Sequence, residues 1–233
     1  MSRKIESLWR RACIFCALVA AAGVMWPESA TSAQDTATKI NIGNNEIGAP
    51  PAEFEMSPLG EANRESWTVV HDATAKTGMA VEQAGVQAAE DRFPLAIYKA
   101  VSFKNAEVSL RVKTVGGKAD ESGGLAVRLS NPENYYLVQL DALRDRLLLS
   151  LVSNGVSKEI VGVDADIASH TWHDLTVRAK DDQFIVSLDG TWVFTGFDKT
   201  LSQAGRIALW TKGDSVTRFD SIAIAPLSAQ EEK

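Results

Sequence analysis

The chain has 233 residues, of which 45% are hydrophobic and 23% charged, and its formal net charge is −6. That balance excludes a disordered or coiled-coil chain and leaves room for one sizeable core. The acidic excess argues against gripping a phosphate backbone, so nucleic acid is not an expected partner.

Arg3, Lys4, Arg10 and Arg11 precede an uncharged run from Ala12 to Trp26, and the small-residue segment Ala30-Thr31-Ser32-Ala33 follows. This is the three-part layout of a secretory signal, with cleavage expected after Ala33. The run falls short of the roughly 20 apolar residues needed to span a bilayer, so no membrane span is expected after cleavage. Arg10-Arg11 is followed by Ala12-Cys13-Ile14-Phe15, which favours general secretion over the twin-arginine route. The expected address is the periplasm or the cell exterior. Both cysteines, Cys13 and Cys16, lie inside residues 1–33, so the exported chain must be stabilised by core packing. Cleavage takes four of the 24 basic and two of the 30 acidic residues, leaving a net charge of −8.

Residues 34–64 are rich in Asn, Gly, Pro and Glu and read as a flexible lead-in with room for a first strand at its end. From 65 to 227 alternating apolar runs are separated by Gly, Asn, Asp and Pro, the texture of an all-β sandwich. Residues 228–233 read as a solvated tail. Strand alternation then sorts the side chains by face. Leu125, Val127 and Leu129 share one face, and Ala126 and Arg128 the other. Tyr136, Val138 and Leu140 oppose Tyr135, Leu137, Gln139 and Asp141. Leu147, Leu149 and Leu151 oppose Arg146, Leu148 and Ser150. Phe184, Val186, Leu188, Leu175 and Val177 are assigned to the core. Ile207 and Leu209 oppose Arg206, Ala208, Trp210 and Lys212.

The second face thereby collects Arg128, Tyr135, Gln139, Arg146, Trp210 and Lys212. Aromatic rings suit the apolar CH face of a pyranose, and forked donors and amides suit its hydroxyls. These six are the candidate carbohydrate-binding residues, with Trp210 and Tyr135 as stacking platforms and an oligo- or polysaccharide as partner. A solvated sheet face without any ligand would produce the same alternation.

Three segments carry a resemblance: ESGGLAVRLSNPENYYLVQLDALRDRLLLSLVSNG, HTWHDLTVRAKDDQFIVSLDGTWVF and AGRIALWTKGDSVTRFDSIAI. They resemble the strands of concanavalin A-like jelly rolls, and within these the secreted bacterial branch grouped with 3-keto-disaccharide hydrolase domains and laminin G-like modules. The resemblance covers about Trp67 to Pro226. It implies a two-sheet antiparallel jelly-roll sandwich, with sugars bound on the concave side where they are bound. Such folds host lectins, glycanases and structural modules alike. Carbohydrate recognition, glycoside cleavage and a structural or protein-interaction role therefore all stay open, in that order.

Glycosidases mostly use two carboxyl groups flanking the scissile bond. The Glu-x-Asp-x-x-Glu string of glycanases with this fold does not occur. Asp164 and Asp166 lie in a loop-like segment, and Asp141 and Asp145 flank a hairpin connection, where turn chemistry explains them. His170 and His173 lack the partners of a zinc site. No cofactor is expected, and a structural calcium ion is the one alternative, at Asp181, Asp182, Asp214 or Asp220. Asp189-Gly190 reads as a tight hairpin turn.

Overall fold

The computed structural model describes residues 37–57, 67–85 and 93–228. The signal segment expected over residues 1–33 and most of the expected tail lie outside the described residues. The described part is almost entirely β. Its strands are β1 (Thr38–Lys39), β2 (Phe54–Met56), β3 (Trp67–His71), β4 (Met79–Ala84), β5 (Leu95–Tyr98), β6 (Ala106–Gly116), β7 (Ser122–Asn131), β8 (Asn134–Asp141), β9 (Arg146–Ser153), β10 (Val156–Asp164), β11 (His173–Lys180), β12 (Gln183–Leu188), β13 (Thr191–Phe197), β14 (Arg206–Thr211) and β15 (Val216–Pro226). Among the described residues no helix is long and apolar enough to cross a membrane.

Two antiparallel sheets result. The larger runs β13-β12-β11-β6-β15-β4-β3, with β1 paired to the far half of β15, and the smaller runs β10-β9-β8-β7-β14-β5-β2. The two sheets face each other as a jelly-roll sandwich. Sequence neighbours β7, β8, β9 and β10 pair through short turns. β14 and β15, adjacent in sequence, go to different sheets, which ties the two layers together.

The alternation read from the sequence sets the core. Tyr136, Val138, Leu140, Leu147, Leu149 and Leu209 of the smaller sheet meet Leu175, Val177, Phe184, Val186 and Phe219 of the larger, all buried in one cluster. The Asp189-Gly190 turn has φ of 50° and 75°, the positive pair that a type I′ hairpin demands.

The lead-in expected to be flexible is corrected in part. Ile40, Ile42 and Phe54 are buried in the main core, and β1 and β2 each extend a sheet. Apolar residues too sparse to show a period still find the open edges of a sandwich.

A second correction concerns the outer face of the smaller sheet, which was expected to be polar. Leu95, Ile97, Ala126, Leu129, Tyr135, Leu137, Val152, Ala208 and Trp210 form a separate buried cluster there. The strands of this sheet are apolar on both faces, as in Leu95-Ala96-Ile97-Tyr98, and such runs mark strands covered on both sides.

The outer face of the larger sheet is different, because it carries a buried ionic network. The Asp72 carboxylate accepts from Lys113 at 2.5 Å, Arg218 at 3.0 Å, and the Thr74 amide and hydroxyl at 2.9 and 2.6 Å. Burial raises the Asp72 carboxyl, but these donors outweigh burial and hold it well below the usual carboxylate range. The Trp172 indole donates to the Thr74 hydroxyl, and Arg111 and Lys113 each lie 4.8 Å from its ring centroid.

Candidate functional site

A groove of about 480 Å³ opens on the outer face of the smaller sheet, within the range of small-ligand sites. Tyr135, Leu137 and Gln139 lie along it at every second position of β8, and Trp210 and Lys212 approach from β14 and the turn after it. Four of the six expected residues, Tyr135, Gln139, Trp210 and Lys212, thus share one site.

The two expected stacking platforms are not exposed. Trp210 is 1% and Tyr135 2% accessible, so they form the floor. The ring of half-buried Phe93 lies over Trp210 at 6.0 Å and 14° and offers the reachable apolar surface. Burial pushes the Tyr135 phenol up to about 12, with the Trp210 indole acting weakly the other way, so the hydroxyl stays protonated at neutral pH.

Polar side chains frame this floor. Gln139 donates to the Ser122 hydroxyl at 3.2 Å. Lys212 donates to Asp120 at 2.7 Å, and Arg144 holds Asp120 and Asp141 together at 3.6 and 2.8 Å. At the other end the β7–β8 turn supplies Pro132 and exposed Glu133, and the start of β10 supplies Ser157. The turn carrying Lys212 is fixed by Asp214, whose carboxylate accepts the amides of Lys118, Ala119 and Asp120. These amide bonds draw the Asp214 carboxyl below its ordinary value.

Arg128 is corrected. It has φ of 51°, at a register shift between Val127 and Asn131. This bulge inverts the alternation: Leu129 joins the outer cluster while Arg128 turns inward, 3% exposed. Its guanidinium donates to the Lys104 and Leu201 carbonyls and sits 5.1 Å from the Phe184 ring centroid. Arg146 is on the expected face but outside the groove, at 3.3 Å from Glu159.

Phe93 was missed. It continues the outward series Phe93, Leu95, Ile97, and that spacing of two was the available signal, masked by Pro94 between them. The calcium candidates do not assemble. Asp214 holds amides, Asp220 accepts the Lys76 amide at 2.7 Å and Arg111 at 3.3 Å, and Asp181 faces Asn105. His173 lies between Asp189 and the Ala168 carbonyl. Among the described residues no three His, Cys, Asp or Glu side chains gather as a metal group.

Comparison with solved structures confirms the architecture. The carbohydrate binding module CBM66 from Bacillus subtilis superposes with a TM-score of 0.56 at 21% identity, over 69% of this chain and 95% of that one. A β-1,3-1,4-glucanase (lichenase) from a mouse hindgut metagenome gives 0.55 at 12% identity, over 82% and 100%. A structure described as a native glycosidic hydrolase gives 0.53 at 10%, over 84% and 97%. No curated protein matches in sequence. The family model of the 3-keto-alpha-glucoside-1,2-lyase-like domain matches residues 57–225, and the chain belongs to that family.

Proposed function

We propose that this chain is an exported protein that binds a saccharide in the groove over β8. One observation carries this reading: an aromatic stack, Phe93 on Trp210, meets a rim of hydrogen-bonding side chains in one groove. Phe93 would pack on a sugar CH face, while Gln139, Lys212, Glu133 and Ser157 would address hydroxyls. The fold shared with a carbohydrate binding module and the family match support the same ligand class. Glycan-array binding by the chain from residue 34 onward tests it, since a protein silent on every glycan would not be a saccharide binder.

Family membership favours a second reading, elimination from a 3-keto glycoside. A ketone at C3 acidifies the C2 proton. A base removes that proton, the electron pair forms the C1–C2 double bond, and the C1 oxygen leaves as an alcohol after taking a proton from water. Among the described lining residues Glu133 is the carboxylate available as the base. Growth of enone absorbance from a 3-keto glucoside, lost in Glu133→Gln, would promote this reading. An unchanged substrate would leave binding alone.

A further inference from the structure

Among the described residues the strand orders end in β13 and β3 in the larger sheet and in β10 and β2 in the smaller, with the two-residue β1 a further short edge beside β15. An exposed edge is an open ladder that invites another strand, and folds blunt it with charge, brevity, bulges or cover. Three of the edges are treated in this way. β3 is covered by backbone bonds of Val69 to Ala49 and Gly48. β2 is three residues long and carries Glu55. β10 carries Lys158, Glu159 and Asp164 and is bulged between Glu159 and Val161.

β13 differs. Its seven residues, Thr-Trp-Val-Phe-Thr-Gly-Phe, include neither charge nor proline. Trp192 and Phe197 are 62% and 61% exposed. The Trp192 indole donates to the Thr195 hydroxyl at 3.2 Å, which lays the ring along the strand. The register shift against β12 falls at the Trp192 end, and Phe194–Phe197 pair regularly with Gln183–Val186. On the same outer side β12 presents Gln183, Ile185 and Ser187, again uncharged. On the next strand inward, β11, the outward Arg178 is offset by Glu107 at 3.7 Å, and Lys180 stands opposite Gln183. Among the described residues, Trp192 to Phe197 make no backbone hydrogen bond outside their own sheet.

We propose that β13 is the edge at which a second copy of this chain docks. The copy adds its β13 antiparallel about a two-fold axis, so that the eight-stranded sheets run on and the aromatics of both copies are covered. A strand paired antiparallel with itself is self-complementary, as a two-fold interface requires. The chain is net acidic, and because β12 and β13 themselves carry no charge, a β13–β13 ladder sets no like charges directly opposite one another. The four rings would remove roughly 500 Å² from water, given about 200 Å² per fully buried ring. That is about a third of a standard interface of about 1,600 Å². The strand backbones, Thr191, Thr195 and the outer side of β12 supply the rest.

The experiment is light scattering on the size-exclusion peak of the chain from residue 34 onward, across the micromolar range. The wild type is expected at twice the single-chain mass, and Thr195→Lys and Phe197→Asp at the single mass with unchanged circular dichroism. Val156→Lys, at a 70% exposed position on β10, should keep the doubled mass. Amide hydrogen exchange of Trp192–Phe197 in the wild type reads the same edge without a variant, and protection there should fall on dilution. Wild type at the single mass, a doubled mass in both edge variants, or exchange indifferent to dilution would each overturn the proposal. A single mass together with quenching of tryptophan fluorescence by an oligosaccharide, lost in Trp192→Ala, would assign the aromatic edge to sugar instead.

Discussion

The ring of Phe93 lies 6.0 Å from that of Trp210 and within 14° of parallel, and the two residues differ in burial, so their truncations should differ in kind. Trp210→Ala empties a site that is 1% exposed and should cost about 3–5 kcal/mol in urea unfolding. Phe93→Ala should cost about 1–2 kcal/mol, in the ordinary range of single substitutions, while removing saccharide binding. Equal stability losses would mean that Phe93 is core and offers no surface to a ligand.

Leu209 is fully buried between the sheets. Leu209→Ala should destabilise the protein by about 2–5 kcal/mol. A loss under about 0.5 kcal/mol, the level of exposed positions, would invert the face assignment of β14 and remove Trp210 from the groove.

Asp72 is the acceptor shared by Lys113 and Arg218. Asp72→Asn strands the Lys113 ammonium, whereas Arg218 keeps Glu82 at 2.7 Å. The expected loss at neutral pH is therefore about 3 kcal/mol, the lower end for breaking a buried pair. The carboxyl is held below its ordinary value of about 3.9, so its contribution is complete above that pH and fades as pH falls through the lower folded value. Melting curves against pH should show the gap between wild type and Asp72→Asn closing only in strong acid. A gap that closes between pH 5 and 7 would contradict the assignment.

Asp214 accepts three loop amides. Asp214→Ala should cost about 1–2 kcal/mol by leaving those donors to water and neighbours, and should weaken saccharide binding by loosening Lys212. Chelation of divalent cations should leave Tm unchanged in both proteins. A drop on adding a chelator to the wild type that is absent in Asp214→Ala would identify Asp214 as a metal ligand.

Most of the strand phase was legible because period-2 alternation survives wherever a ladder is regular. Tyr136, Leu147, Leu175, Phe184 and Leu209 all face the core as their spacing predicts. Arg128 was not legible, since a bulge adds one residue and a positive φ without any signature in Val127-Arg128-Leu129. The buried outer face was legible in principle, because Leu95-Ala96-Ile97-Tyr98 and Tyr135-Tyr136-Leu137-Val138 lack any polar alternate. Reading that face as solvated made Trp210 a shelf instead of a floor. The Asp72 network was not legible, since its members lie as far apart as Asp72 and Arg218 and are ordinary strand and loop residues taken singly.

The measurement closest to the central claim is a glycan-array screen of the chain from residue 34 onward, with each bound glycan then titrated against wild type, Phe93→Ala and Gln139→Ala. At least one saccharide should bind and lose affinity tenfold or more in Phe93→Ala, about 1.4 kcal/mol, with the fold of the variant intact. Binding that persists unchanged in both variants, or no binding to any glycan, would contradict a saccharide site over β8.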